Sequence, residues 1–185
     1  MEKIENNLIC RTLRNGNKKW YNKSKKLHRL DGPAIEFANG EKHWYINGEC
    51  HREDGPAREH SDGSKFWYTY GELNRDDGPA IEYSNGSKYW YRDGLQHRDD
   101  GPAVEHINGC KAWFKNGKRH RLDGPAYEGK NGDREYWING KLHREDGPAV
   151  EFADGYKEYY LNGIKVSFLK FLWIIYSRKI YSCFN

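Results

Sequence analysis

The chain of 185 residues has only four cysteines, Cys10, Cys50, Cys110 and Cys183, with no Cys-x-x-Cys spacing and no recurrence at one register. That argues against a zinc or disulfide framework, and reduced thiols fit a cytosolic setting. Long apolar runs are missing too. The densest, Phe171–Tyr176, falls far short of the ~20 residues needed to cross a bilayer. The opening MEKIENNLIC carries acidic residues and lacks the apolar stretch of a signal peptide, so none is expected. Hydrophobic residues make up 36% against 31% charged, and the mean hydropathy of −1.10 is too polar for a thick globular core. An aromatic share of 15% argues equally against disorder. A thin sheet reconciles the two, because Tyr, Trp and long Lys or Arg stems can cover one another without a deep interior.

What the sequence does contain is a unit returning every 23 residues, first as His28–Cys50, HRLDGPAIEFANGEKHWYINGEC. Asp-Gly-Pro begins at Asp31, Asp54, Asp77, Asp100, Asp123 and Asp146, which makes the chain a tandem array. Each copy carries two further punctuation marks. One is the Asn39-Gly40 type (Asp62-Gly63, Asn85-Gly86, Asn108-Gly109, Asn131-Gly132, Asp154-Gly155); the other is the Asn47-Gly48 type (Tyr70-Gly71, Asp93-Gly94, Asn116-Gly117, Asn139-Gly140, Asn162-Gly163). Asn-Gly between β-rich runs signals a hairpin, since a type I′ turn needs positive φ at both central residues. The runs between, Ala34–Phe37 and Lys42–Ile46, read as strands. Asp-Gly-Pro reads as turn chemistry, with Asp31 placed for a local side-chain bond and Pro33 interrupting the pairing.

If both turns contain two residues, Phe37 faces Lys42, Glu36 faces His43 and Ile35 faces Trp44. Ile35, Phe37, Trp44 and Ile46 then share an apolar side, with a ladder of Trp44, Trp67, Trp90, Trp113, Tyr136 and Tyr159. Ala34, Glu36, His43 and Tyr45 share the other side, and Arg52 falls in the row of Glu36.

His28, His51, His97, His120 and His143 open five copies and Asn74 the third, each followed by Arg. A His-Arg-x-Asp cluster suggests metal or acid–base chemistry, but Asn74 breaks the series and the unit repeats along a row. Catalysis needs different residues converging in one pocket, so structural hydrogen bonding is the preferred account. No catalytic residue, metal ligand or cofactor is assigned, and the chain reads as non-enzymatic. Two departures from the repeat stand out: Arg58 in an Ile35-type position, and Gly129 with Lys130 at the Phe37-type position.

Residues 1–27 form a degenerate opening copy, with Asn15-Gly16 as a turn, Trp20-Tyr21 as the aromatic pair, and Asn22–Lys26 as a longer turn without glycine. Residues 28–165 hold the six copies and 166–185 an apolar tail. The opening copy carries eight basic and two acidic side chains and the tail three basic ones, so of the net +4 the repeats hold −5. The basic cluster reads as protection of an edge strand, with a phosphate patch as the alternative. In the tail, Phe168, Phe171, Leu172 and Ile175 recur at helical spacing beside Trp173. It reads as a short helix capping the last repeats; a membrane-surface anchor through those five residues, a partner-docking element and a final strand are the alternatives.

The core W-x-x-N-G-K-x-H with a 23-residue period resembles MORN repeats, and the form with D-G-P-A resembles the group called MORN repeat variants. The match is best over Tyr136–Glu151, YWINGKLHREDGPAVE, and covers about residues 10–165. It departs where standard repeats have His-Gly-x-Gly and this chain has His-Arg-x-Asp-Gly-Pro. The resemblance implies an all-β fold, an elongated and twisted antiparallel sheet of consecutive hairpins, serving mostly as a protein-interaction scaffold. It also implies kinship with arrays common in large DNA viruses, phages and bacteria, and the Asn-, Lys-, Ile- and Tyr-rich composition suits an AT-rich viral genome acting in a host cytoplasm.

The leading expectation is a scaffold that binds a protein partner. Its contacts would be Trp44, Trp67, Trp90, Trp113 and Trp137 with Arg29, Arg52, Arg75, Arg98, Arg121 and Arg144, residue types in which interface hot spots concentrate. The alternative is a nucleotide or small-anion binder in which Arg clamps phosphate and an aromatic ring stacks on a base. That would require a homo-oligomer to close the groove into a pocket. A peripheral membrane scaffold is the third reading. Nothing points to specific nucleic-acid recognition.

Overall fold

The structure, a computed structural model, describes residues 2–5 and 8–182, and the side chains of Lys3 and of residues 8–177. It is all-β apart from one C-terminal helix, and falls into two compact units divided between Leu95 and Gln96.

In the first unit β1 (Glu2–Glu5), β2 (Leu8–Thr12), β3 (Lys18–Tyr21), β4 (Ile35–Glu36) and β5 (Lys42–His43) run antiparallel in that order. Next in the sheet come Arg58–Glu59, Lys65–Phe66, Ile81–Glu82 and Lys88–Tyr89. The second unit repeats the scheme from Val104–Glu105 to Ile164–Val166. In the first five copies the other turn builds a separate two-stranded hairpin beside the main sheet, for example β6 (Tyr45–Ile46) with β7 (Glu49–Cys50), while in the last copy Lys157–Leu161 and Ile164–Val166 continue the main sheet itself.

The two turns differ, and this shifts the expected register. Asn47 (φ 52°) and Gly48 (φ 91°) are both left-handed, as a type I′ turn requires, and Ile46 pairs with Glu49. At the other turn only Gly40 (φ 89°) is left-handed. Phe37 N–H bonds to Glu41 C=O, leaving a three-residue loop with a left-handed glycine at its end. Ile35 therefore pairs with His43 and Glu36 with Lys42, one residue away from the two-residue expectation. Trp44 consequently leaves the sheet at the junction between the two hairpins. The physical reason is local: the Asn39 carboxamide accepts from Glu41 N–H at 3.1 Å, an Asx bond that holds the asparagine outside the left-handed region. In the opening copy Lys25 (φ 59°) takes the place of the missing glycine within the Asn22–Lys26 turn.

The core is thin. Its most buried row is Ala34, Ala57, Ala80, Ala103, Ala126 and Ala149, the alanines after Asp-Gly-Pro, rather than the polar-side position expected for Ala34. Ala57 and Ala80 accept from Trp44 and Trp67 N–H of the preceding copy at 2.8 Å, and their side chains are fully buried at that junction. Cys10 and Cys50 are buried, and Cys50 and Cys110 are free thiols; Cys183 lies outside the described residues.

The tail forms α1 (Phe168–Ser182). Ser167 caps it, its Oγ accepting from Lys170 N–H at 3.3 Å. Phe171 is buried against Tyr159, with ring centroids 4.9 Å apart, as expected of a cap. Phe168, Leu172 and Trp173 stay exposed. Among the described residues no helix is long and apolar enough to cross a membrane.

Candidate functional site: the arginine stations and an off-pattern cluster

Each His-Arg-x-Asp-Gly-Pro unit builds one station, and the arginine is its centre. Arg52 Nε donates to Asp54 at 2.8 Å, and Nη1 donates to Pro56 C=O at 3.3 Å and Glu59 at 3.0 Å. Its guanidinium also lies over the indole of Trp44, 4.1 Å from the ring centroid. Arg29 with Trp20, Arg75 with Trp67, Arg121 with Trp113 and Arg144 with Tyr136 repeat the stack at 3.9–4.2 Å. Arg98 keeps the same bonds to Asp100, Pro102 and Glu105. Asp31 thus bonds Arg29 rather than closing a local turn, and Arg52 meets Glu59 of its own copy rather than Glu36.

The glycine of Asp-Gly-Pro follows from the same packing. A Cβ on Gly55 would stand 3.1 Å from the Arg52 Cζ, so the residue is glycine for space, its φ lying outside the left-handed region. The arginine hydrogen bond holds Asp31, Asp54, Asp77, Asp100, Asp123 and Asp146 below the usual carboxylate pKa.

The opening His or Asn has a structural task. His28 Nδ1 accepts from Asn47 N–H at 3.1 Å, and His51, His97, His120 and His143 accept from Tyr70, Asn116, Asn139 and Asn162 in the same way. In the third copy the Asn74 Oδ1 accepts from Asp93 N–H at 3.1 Å, so the break in the histidine series keeps the acceptor. The glycine of the same turn bonds the preceding copy, as Gly71 N–H does to Cys50 C=O at 2.8 Å.

Of the residues expected to meet a partner, Arg52, Arg75 and Arg121 are therefore joined to Trp44, Trp67 and Trp113 within the fold, while Arg29 and Arg144 stack on Trp20 and Tyr136. Trp90 is half-buried. Trp137 belongs to a different row: its Nε1–H donates to Glu135 at 2.8 Å, beside Arg119. Of the tail residues expected at a membrane, Phe171 is buried and Ile175 half-buried.

What faces outward is the carboxylate rim. The Asp54 side chain is 83% exposed while Arg52 is 21% exposed. The residue before each Asp adds Glu53 and Asp76 in the first unit, and Asp99 and Glu145 in the second. Leu30 and Leu122, at the same position, are also exposed. Open grooves lie between successive stations: one of about 760 Å³ is lined by Arg52, Asp54, Trp67, Arg75 and Asp77, and one of about 520 Å³ by Arg98, Asp100, Trp113 and Asp123.

One cluster was missed by reading the repeat as a repeat. Glu41, His43 and His60 converge beside Arg58, which pairs with His43 across adjacent strands. His43 Nε2 lies 2.7 Å from Glu41 Oε1. Burial pushes the His43 imidazole below its ordinary pKa, and the Glu41 bond opposes that. Arg58 reaches the Tyr45 hydroxyl at 3.3 Å and lies over the Tyr68 ring. The signal lay in the sequence as off-pattern residues at positions that hold Ser64, Phe66, Ile81 and Tyr83 one copy later.

Compared with known proteins, the chain matches no protein-family model and no curated sequence at a significant level.

Proposed function

We propose that the chain is a non-enzymatic repeat scaffold that takes a basic segment of a protein partner along its carboxylate rim. The observation that carries this reading is the orientation of each station. Arginine is turned inward onto an aromatic ring, while aspartate, joined in four copies by a second carboxylate, stands in solvent. Within each unit, stations returning every 23 residues suit an extended, multiply charged segment, and such complementarity acts on encounter rate and specificity. The expected Trp and Arg contacts become the frame of the surface rather than its reading head. The exposed Leu30 of the first unit and Leu122 of the second each add an apolar point beside the aspartate that follows it.

Membership of the MORN-repeat-variant group belongs to the same proposal, as do an origin in a large DNA virus and action in a host cytoplasm. The nucleotide-binding reading is weaker. The arginine Nε and Nη1 are committed to Asp, Glu and the proline carbonyl, and the grooves are rimmed by carboxylates that repel phosphate.

Native mass spectrometry on protein purified gently from its natural host tests the proposal. A co-purifying chain is expected, lost at raised salt and in a Glu53→Gln/Asp76→Asn variant. Retention of that chain by the variant, or an added mass of a few hundred daltons in place of a chain, would sink it.

A further inference from the structure

We propose that Glu41, His43 and His60 form a binding site for a single divalent transition-metal ion of the zinc class. In the first unit His43 lies on β5, and Glu41 and His60 flank β5 and its neighbour Arg58–Glu59. Glu41 stands one residue before β5, on the side of His43, and the pairing of His43 with Arg58 brings His60, one residue past Arg58–Glu59, to that side. Their donor atoms lie within 4.8 Å of one another, with Glu41 Oε1 2.7 Å from His43 Nε2 and 4.0 Å from His60 Nδ1.

Metal–ligand distances of 2.0–2.2 Å in a tetrahedral site put ligand atoms about 3.3 Å apart. The ion therefore asks the Glu41–His43 pair, 2.7 Å apart, to open by about half an ångström, and His60, within 4.8 Å of the other two donors, to close by up to about 1.5 Å. His60 is the most exposed of the three, with a 38% exposed side chain against 12% for His43, so that approach is a side-chain adjustment at the rim. The walls are already set: Phe37 stands edge-on to His43 at 5.0 Å between ring centroids, and Phe66 lies 4.8 Å from His60.

Two imidazoles and one carboxylate favour zinc, copper or nickel over the hard cations magnesium and calcium, which take oxygen ligands. The site belongs to one register only. The positions of Glu41, His43 and His60 hold Ser64, Phe66 and Tyr83 one copy later, and in the second unit Cys110, Ala112 and Gly129, then Asp133, Glu135 and Phe152. A structural role common to every station would not require this combination in one place. The nearby Arg58 charge opposes a cation, but its guanidinium is turned to the Tyr45 hydroxyl and the Tyr68 ring, and the Glu41 carboxylate supplies the compensating charge.

The test is calorimetric titration of zinc chloride into the full chain, beside Glu41→Ser and His60→Tyr variants. Both substitutions install the residue of the next copy, and far-UV circular dichroism checks that they fold. Saturable one-to-one binding is expected, weakened at least tenfold in each variant, with no saturable heat from magnesium or calcium. Cobalt in place of zinc should give the intense visible bands of a tetrahedral site. The proposal is overturned if the wild type shows no saturable zinc binding, if either folded variant binds as tightly as the wild type, or if cobalt gives only the weak spectrum of a hydrated ion.

Discussion

The guanidinium of Arg75 lies over the indole of Trp67, 4.0 Å from the ring centroid, and packs so closely on Gly78 that an added Cβ would stand 3.0 Å from its Cζ. Aromatic ring, arginine and glycine come from three points of the 23-residue unit and meet in one stack. Nothing about glycine's conformational range is involved at Gly78, which separates it from the turn glycines of the same copy.

That separation can be measured. Gly78→Ala should destabilise by about 1–3 kcal/mol, because the methyl forces the guanidinium off its ring or the backbone aside. Gly63 has φ +91° and open space around it, so Gly63→Ala meets only the left-handed backbone penalty of about 1–2 kcal/mol. Asparagine tells the two apart, since it tolerates the left-handed region yet is larger than alanine. Gly63→Asn should recover stability relative to Gly63→Ala, and Gly78→Asn should lose more than Gly78→Ala. Urea midpoints that move in parallel at both sites would remove the steric account of Asp-Gly-Pro.

The all-β hairpin array was legible because Asn-Gly and Asp-Gly at constant spacing encode turns locally, without reference to tertiary context. The type I′ turn at Asn47-Gly48 followed directly. The Asn39-Gly40 turn did not, since the same dipeptide also closes a three-residue loop, and only the Asn39 side-chain bond to Glu41 N–H distinguishes them. One residue of register then moved Trp44 out of the sheet and under Arg52. Ala34 looked unremarkable by type, and it is buried where the preceding copy bonds to it through Trp20 N–H, which no single copy shows. The metal-ligand cluster was obscured differently. Averaging over six copies makes Glu41, His43 and His60 look like drift, and only their three-dimensional meeting gives them meaning.

The histidine stations yield a second prediction. Asn74 Oδ1 does for Asp93 N–H what the histidine Nδ1 does elsewhere, at 3.1 Å. Asn74→His should therefore leave stability within about 0.5 kcal/mol of the wild type. Asn74→Leu should cost about 0.5–1.5 kcal/mol, the net worth of one hydrogen bond at a site that water can partly reach. Hydrogen exchange gives the local readout: the Asp93 amide should exchange faster in the leucine variant and at its original rate in the histidine variant. Unchanged protection with leucine would mean that the turn is held by its own backbone and by the Gly94 N–H bond to Leu73 C=O alone.

The aspartates set the response to acid. The Arg75 hydrogen bond holds the Asp77 carboxyl below its ordinary pKa, and the other five stations repeat the effect. A carboxyl depressed by folding contributes stability that is present above its unfolded pKa of about 3.9 and is lost as pH falls through the lower folded value. The folded array should thus be steady in urea from about pH 5 to 8 and weaken steeply below about pH 4. Asp77→Asn removes one such contribution. Its deficit against the wild type should be constant at neutral pH and shrink towards zero as the wild-type carboxyl takes up its proton. Because Asp77 is exposed, salt should reduce the neutral-pH deficit as well. A deficit that persists undiminished in acid would show that the Asp77 side chain acts through shape or turn geometry, and that its ion pair with Arg75 is not what stabilises the station.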